Sequence, residues 1–96
     1  MIDVKHGSGD EWLITVQGPV TTHHRVRVTQ ADLDRLAAGR PAEDLLRESF
    51  AFLLERESNT SILSSFDLPL IGRYFPEYEQ QIQTRLLEKK TRPSSS

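Results

Sequence analysis

The chain of 96 residues is 36% apolar and 27% charged, carries a net charge of −2 and contains no cysteine. This length and composition predict a single globular domain, and the lack of cysteine excludes disulfides, thiolate metal sites and a cysteine nucleophile. No segment approaches the about 18 consecutive apolar residues of a membrane-spanning helix, and the first residues lack the apolar run of a secretory signal. We therefore expect a cytoplasmic protein that does not enter membranes.

The N-terminal third alternates apolar and polar residues, which is the pattern of strands that bury one face. The alternation runs through residues 2–5, 12–17 and 23–28, and glycine-containing turns separate these segments. Short connections of this kind join antiparallel neighbours. We predict an antiparallel β-meander of two or three strands, in which the first strand is short.

Two helices are predicted to follow the meander. Thr29 is placed to cap the first one, over residues 30–38, and Asp32 three residues later gives a near capping box. A glycine just beyond this helix supplies its stop signal. Pro41 opens the second helix at the position where a missing N–H costs least. The apolar side chains of this helix cover a wide arc, which indicates a central core helix over residues 41–57.

Three shorter helical segments are predicted in the last third of the chain. Residues 61–66 can form a short helix, and Asp67 can cap a second one that has Pro69 in its first turn. Pro76 begins the last helix. Its apolar stripe, spaced at i, i+4 and i+8, consists of Tyr78, Ile82 and Leu86.

Together these segments predict an α+β fold, an N-terminal antiparallel β-meander of two or three strands packed against four or five α-helices. We expect residues 1–90 to form this single α+β domain and residues 91–96 to be a disordered C-terminal tail. The expected core consists of Trp12, Ile14, Val16, Val26, Val28, Leu33, Leu36, Leu46, Phe50, Leu53, Ile62 and Phe66.

No pattern of residues predicts a catalytic centre, a metal site or a bound cofactor. His23 and His24 are adjacent in a predicted strand, so their side chains point to opposite faces and cannot share one ion. We expect the histidines to lie at the rim of the sheet. No serine occupies a nucleophile elbow, and the glycines of residues 7–9 belong to a hairpin rather than a phosphate loop. An enzyme is kept as an alternative, with an active site that the sequence does not reveal.

A nucleic-acid-binding regulator is the other alternative, and it would use a helix corner over residues 61–79. Arg73 could approach phosphates there. However, the corner is rich in apolar residues that need burial, and Glu77 and Glu79 would repel a phosphate backbone. Residues 41–79 contain three Lys or Arg and eight Asp or Glu, a net charge of −5. We therefore expect that the partner is not nucleic acid.

The densest aromatic cluster of the chain lies around Pro76. A helix over about residues 69–75 has apolar side chains around more than half of its circumference, and the proline then forces a change of direction. At least one of Tyr74, Phe75 and Tyr78 should therefore stay partly exposed. Tyr and Arg are common at interface hot spots. The hypothesis is that an interaction surface is bordered by Arg73, Tyr74, Phe75 and Tyr78; the alternative is that these side chains only seal the core of the monomer.

Three segments, LLERESNTSIL (residues 53–63), FDLPLIGRYFPEYE (66–79) and VRVT (26–29), resemble a group of small bacterial proteins whose activity is uncharacterised. The resemblance extends from Pro41 onward and includes the strand that ends at residue 29. It implies a bacterial source and a small stand-alone protein. It carries no activity, ligand or site residue over to this chain.

The function expected from the sequence is a small non-enzymatic module for protein–protein interaction. Its partner would be another protein or a second copy of the chain in a homodimer, and no cofactor is expected. The two alternatives make different demands on the molecule. A nucleic-acid-binding regulator needs a basic surface, whereas an enzyme needs a pocket that holds an ionisable group with a shifted pKa.

Overall fold

A computed structural model of the protein describes the backbone of residues 1–91 and the side chains of residues 1–88. This part of the chain forms a four-stranded mixed sheet with four α-helices, so the predicted α+β class is confirmed. Most of the predicted tail, residues 92–96, lies outside the described residues. The elements in chain order are β1 (Ile2–His6), β2 (Glu11–Val16), β3 (Thr22–Arg27), α1 (Gln30–Leu36), α2 (Ala42–Leu54), a 3-10 turn (Asn59–Ser61), β4 (Ser65–Asp67), α3 (Leu70–Tyr74) and α4 (Tyr78–Thr91).

The first three strands form the predicted antiparallel meander, and β1 does pair with β2. Val4 lies opposite Ile14, and Ile14 lies opposite His24, so these three side chains share one face of the sheet. That face is covered by the helices, because all three residues are buried. The other face carries exposed polar residues, as the period of two predicts.

The segment over residues 61–66 corrects the predicted helix. It contains the end of a 3-10 turn and the start of β4, which extends the sheet beyond β3 in the parallel direction. The backbone N–H of Arg25 donates to the Ser64 carbonyl (2.8 Å), and the Arg27 carbonyl accepts from Leu68 N–H (3.0 Å). These bonds satisfy backbone groups along the edge of β3 that a helix over this segment would leave unpaired. Asp67 therefore belongs to a strand and does not cap α3, whose N-cap is Pro69.

The helices on the N-terminal side of β4 agree with the sequence prediction to within a few residues. Thr29 accepts a hydrogen bond from the Asp32 N–H (3.2 Å), and its own N–H donates to the Asp32 carboxylate (3.0 Å), which completes the predicted capping box. The chain then turns through left-handed φ angles of 53° at Ala38 and 80° at Gly39, which ends α1. Helix α2 ends at Leu54, three residues short of the predicted end.

Helix α4 buries the stripe predicted for it, since its members at i, i+4 and i+8 are fully buried. Two hydrophobic layers therefore meet α2, the sheet on one side and α4 with α3 on the other. The stripe consists of Tyr78, Ile82 and Leu86.

None of the helices in the described part of the chain is both long and apolar enough to cross a membrane.

The core contains the predicted residues and extends further. Nine of the twelve are buried, and Trp12, Leu33 and Phe66 are partly buried against the others. Phe52, which the predicted arc places at its edge, is fully buried because α2 packs on both sides. The other buried hydrophobic residues that the prediction did not include are Val4, Ala37, Leu45, Leu68, Ile71, Tyr78, Ile82 and Leu86.

We expect Phe50→Ala to lower the free energy of unfolding by about 3–5 kcal/mol, because it removes a fully buried ring and leaves a cavity. The ring centroid of Phe50 lies 5.3 Å from that of His24 and 6.1 Å from that of Phe66, so both contacts are lost. Urea denaturation measures the effect. Leu13→Ala, at a side chain on the solvated face, is the control, and a loss below about 1 kcal/mol for Phe50→Ala would contradict the assigned packing.

Candidate functional site

An apolar groove lies between the end of α2, the segment after the 3-10 turn and α3. We call it the aromatic groove. It encloses about 330 Å³, at the lower end of the range for ligand pockets. Its lining consists of Leu53, Glu57, Ser61, Ile62, Leu63, Phe66, Leu70, Ile71, Tyr74 and Phe75.

Three of the four residues predicted to border an interaction surface lie on or beside this groove. Tyr74 is 66% exposed, which confirms that at least one aromatic residue of the corner stays accessible. Phe75 lines the groove and is partly buried. Arg73 precedes Tyr74 on α3 and is exposed. Leu63, which the prediction did not include, is 49% exposed and lines the same groove.

Tyr78 is the correction among the predicted site residues, because it is fully buried and no part of its side chain reaches the surface. Its hydroxyl lies 2.6 Å from the hydroxyl of Ser49, which donates its own proton to the Leu45 carbonyl (2.7 Å). The Tyr78 hydroxyl is therefore the donor of the pair. The direction of the chain after Pro76 turns Tyr78 inward as the first residue of the buried stripe of α4.

The position of Phe75 in the groove wall is fixed by contacts with α2. Its ring packs edge-on against Phe52, with the ring centroids 5.8 Å apart. The guanidinium of Arg56 lies 3.6 Å above the Phe52 ring and 6.0 Å from the Phe75 ring. Arg56 is held in turn by bonds to the Phe52 carbonyl (3.1 Å) and to Glu77 (3.2 Å). Cation–π contacts and hydrogen bonds thus tie the end of α3 to α2.

The opposite wall is fixed by a partly buried polar relay that begins on β3. The Leu63 carbonyl can only accept, so His24 donates from Nδ1 (2.8 Å). In the neutral ring, His24 Nε2 then accepts from the Thr22 hydroxyl (2.9 Å). The Asn59 amide donates to Thr22 Oγ1 (3.0 Å) and to the Val20 carbonyl (2.8 Å). This relay fastens both ends of residues 59–63 to the meander.

His24 was expected at the rim of the sheet, and this expectation is wrong. It is 4% exposed and packs against Phe50 on the helix-covered face. Its alternation with Val26 in the same strand places it on that face, and this signal was present in the sequence. The sequence did not show which group would bond to the buried His24, because that group, the Leu63 carbonyl, lies 39 positions further along the chain.

The groups with shifted pKa values lie outside the aromatic groove. A hydrogen bond from Arg85 lowers the pKa of Glu55, and a hydrogen bond from its own backbone N–H, with one from Arg56, lowers the pKa of Glu77. Burial raises the pKa of the Tyr78 hydroxyl. None of these three residues lines the groove.

Two arrangements that would support the alternative functions, a helix corner for nucleic acid and a metal site for catalysis, are not found in the described part of the chain. The helix corner over residues 61–79 is not formed, since β4 takes the place of its first helix. No group of three or more His, Asp or Glu residues among those described lies close enough to hold a metal ion. The outer sheet face mixes charges, because Arg25 forms an ion pair with Glu11 (3.3 Å) and Asp3 stands near Lys5.

Comparison of the chain with protein-family models, with curated proteins and with solved structures finds no significant match. The resemblance to small bacterial proteins stays a prediction.

The raised pKa of Tyr78 predicts a specific loss of stability in alkali. Because the folded-state pKa lies above the unfolded value of about 10, this contribution is intact below pH 10 and declines as the pH rises further, by up to about 1.4 kcal/mol per pH unit. In Tyr78→Phe, the decline attributable to this hydroxyl should be absent. At neutral pH the variant should lose about 0.5–1.5 kcal/mol, the net value of one hydrogen bond.

Urea denaturation of both proteins at pH 7 and at pH values above 10 measures the difference. Tyr74→Phe is the matched control, because it removes the same group from a 66% exposed side chain. If Tyr78→Phe and the wild type lose stability equally above pH 10, the buried Tyr78 hydroxyl does not contribute to the pH dependence.

Proposed function

We propose that this protein is a non-enzymatic interaction module that binds an apolar segment of another protein in the aromatic groove. One observation carries the proposal: Leu63 and Tyr74, 49% and 66% exposed, stand at a concave surface whose other lining residues are apolar except for Glu57 and Ser61. Single exposed apolar residues are ordinary on protein surfaces. Two large ones that border one apolar groove are typical of a site that a partner covers.

The residue types at the groove support a protein partner. Tyr and Arg are enriched at interface hot spots, because each combines a large contact area with polar groups that fix orientation. Tyr74 offers an exposed ring, and the exposed side chain of Arg73 beside it has no ion pair or hydrogen bond within the described residues. Arg73 is thus available to a carboxylate of the partner.

The charges near the groove give the partner segment a preferred direction. Arg73 lies on α3, and Glu57, a groove residue in the turn after α2, also forms no ion pair within residues 1–88. A complementary segment would therefore carry apolar side chains for the groove, an acidic residue for Arg73 and a basic residue for Glu57. Charge pairs of this kind set orientation and register more than they add affinity.

The groove walls are held in place before a partner arrives. Arg56 and Phe52 hold the Phe75 side, and the relay through His24 holds the Leu63 side. Preorganisation reduces the conformational entropy that is lost on binding. A short segment can therefore bind there without first ordering the site.

Selection from a library of displayed random peptides tests the proposal on the purified protein. We expect binders with apolar side chains flanked by opposite charges, and we expect Tyr74→Ser and Leu63→Ser each to weaken them about tenfold or more, the loss of at least about 1.4 kcal/mol. Isothermal titration calorimetry measures the affinities. Arg73→Glu should remove the preference for an acidic residue.

Leu13→Ser is the matched control, since Leu13 is 41% exposed on the outer sheet face, away from the groove. It should leave the affinity for the selected peptides unchanged. A library that yields no binder, or binders that Leu13→Ser weakens as much as Leu63→Ser does, would show that the groove is not the binding site.

A further inference from the structure

The outer edge of β1 presents unpaired backbone groups. At the two ends of the β1–β2 ladder, the Gln17 N–H donates to the Met1 carbonyl and the Gly7 N–H donates to the Glu11 carbonyl (2.9 Å each). Because bonded and non-bonded pairs alternate in an antiparallel ladder, the intervening residues that bond to β2 are Asp3 and Lys5. The N–H and C=O groups of the remaining residues of β1 point away from the sheet. These residues are Ile2, Val4 and His6.

Little of this edge is occupied by the other residues that the structure describes. Arg47 donates to the Ile2 carbonyl (2.7 Å), which leaves that oxygen a second lone pair. Within the described residues, the outward backbone groups of Val4 and His6 have no hydrogen-bond partner. An unprotected edge of this kind is a template for another strand.

The sequence of β1 is complementary to itself in one antiparallel register. When Val4 lies opposite the Val4 of a second strand, Asp3 lies opposite the second Lys5, and Ile2 lies opposite the second His6. Both charges stand on the exposed face and form no ion pair with any side chain of residues 1–88. Shifting the second strand by two residues in one direction brings Asp3 opposite Asp3, and in the other direction it brings Lys5 opposite Lys5. Like charges directly opposite each other are destabilising.

The hydrogen-bonding pattern agrees with the same register. Val4 directs its N–H and C=O outward in both strands, so the Val4 pair at the centre can exchange both hydrogen bonds. The Ile2–His6 pairs on either side consist of outward-directed residues too. Backbone geometry therefore restricts the pairing to registers in which outward-directed residues face one another, and among these registers charge selects the one centred on Val4.

We infer that the binding partner of the β1 edge is a second copy of this chain, with the two β1 strands antiparallel and centred on Val4. The pairing joins two four-stranded sheets into one continuous eight-stranded sheet. It uses the same surface on both copies and is closed by a two-fold axis, so it ends at a dimer. This inference concerns a different surface from the aromatic groove and does not depend on it.

Pairing between β1 of one copy and β4 of the next is the competing arrangement. It would join different edges and continue into a filament. Strand β4 has only three residues in the ladder, against five in β1, so it offers fewer backbone groups. In such a pairing Lys5 could face Asp67 of β4, but Asp3 would find no basic residue in β4.

A charge exchange tests the dimer and its register. Asp3→Lys alone places two ammonium groups opposite each other at each end of the pairing, and Lys5→Asp alone does the same with carboxylates. Each should weaken dimerisation at least tenfold. The double variant Asp3→Lys/Lys5→Asp restores opposite charges and should return the dimerisation constant to near the wild-type value.

Sedimentation equilibrium from micromolar to millimolar protein concentration measures these constants, because an interface of this size is expected to be weak. Asp34→Lys, on the exposed side of α1, is the control for the change in net charge and should not alter dimerisation. Circular dichroism of each variant shows whether the monomer is still folded. A wild type that stays monomeric at millimolar concentration, or a double variant no better than the single ones, overturns the inference, as do oligomers that grow beyond a dimer.

Disulfide cross-linking between introduced cysteines tests the register directly, because the chain has no cysteine of its own. Asp3 and Lys5 form a non-hydrogen-bonded pair in this register, with Cα atoms about 4.5 Å apart, within reach of a disulfide. An oxidised mixture of the Asp3→Cys and Lys5→Cys proteins should therefore yield the mixed dimer in excess over both homodimers. Equal amounts of all three products, or an excess of either homodimer, would contradict the register.

Discussion

The rest of the structure depends on α2 being buried from two directions. Phe50 faces the sheet, where it packs near Phe66, and Phe52 faces the opposite layer, where it contacts Phe75 and Tyr78. A chain of this length buries only about 60–70% of its unfolded surface, so it has little apolar material for separate cores. One helix that serves both layers lets a short sheet and three further helices share a single core. Because this core is shared, it also encloses two polar groups, the hydroxyls of Ser49 and Tyr78, which satisfy each other by a hydrogen bond.

The aromatic groove is a consequence of this arrangement. Both of its walls are attached to the inner scaffold, one through Phe75 against Phe52 and the other through the Leu63 carbonyl bonded to His24. Between these two attachments the groove stays open, and Tyr74 at its edge is 66% exposed. The groove therefore combines a rigid outline with exposed apolar atoms, and both properties follow from how α3 and the preceding segment are anchored to α2 and β3.

The sequence predicted the features that local patterns determine and missed those that distant segments determine. The meander, the capping box at Thr29 and the stripe of α4 depend on residues a few positions apart, and all three are present. Strand β4 was missed because its three residues have no period of their own and become a strand only by pairing with β3. The placement of Tyr78 is instructive, because two arguments competed for it. Its helical spacing correctly indicated burial, whereas residue type suggested an interface, and burial by spacing was the stronger physical argument. Tyr74, which has no place in such a stripe, is the residue that remains exposed.

The two surfaces lie at opposite ends of the sheet, and this separation has a physical consequence. Strand β1 is one edge in the order β1-β2-β3-β4, while Phe66 of β4, at the other edge, lines the aromatic groove. Pairing through β1 would therefore leave both grooves of a dimer open and far from the two-fold axis. Two linked sites bind a partner that carries two segments more tightly than either site alone, provided that the spacing permits both to engage. Because β1 and β4 are held in one hydrogen-bonded sheet, that spacing would be set by the sheet itself rather than by a flexible linker.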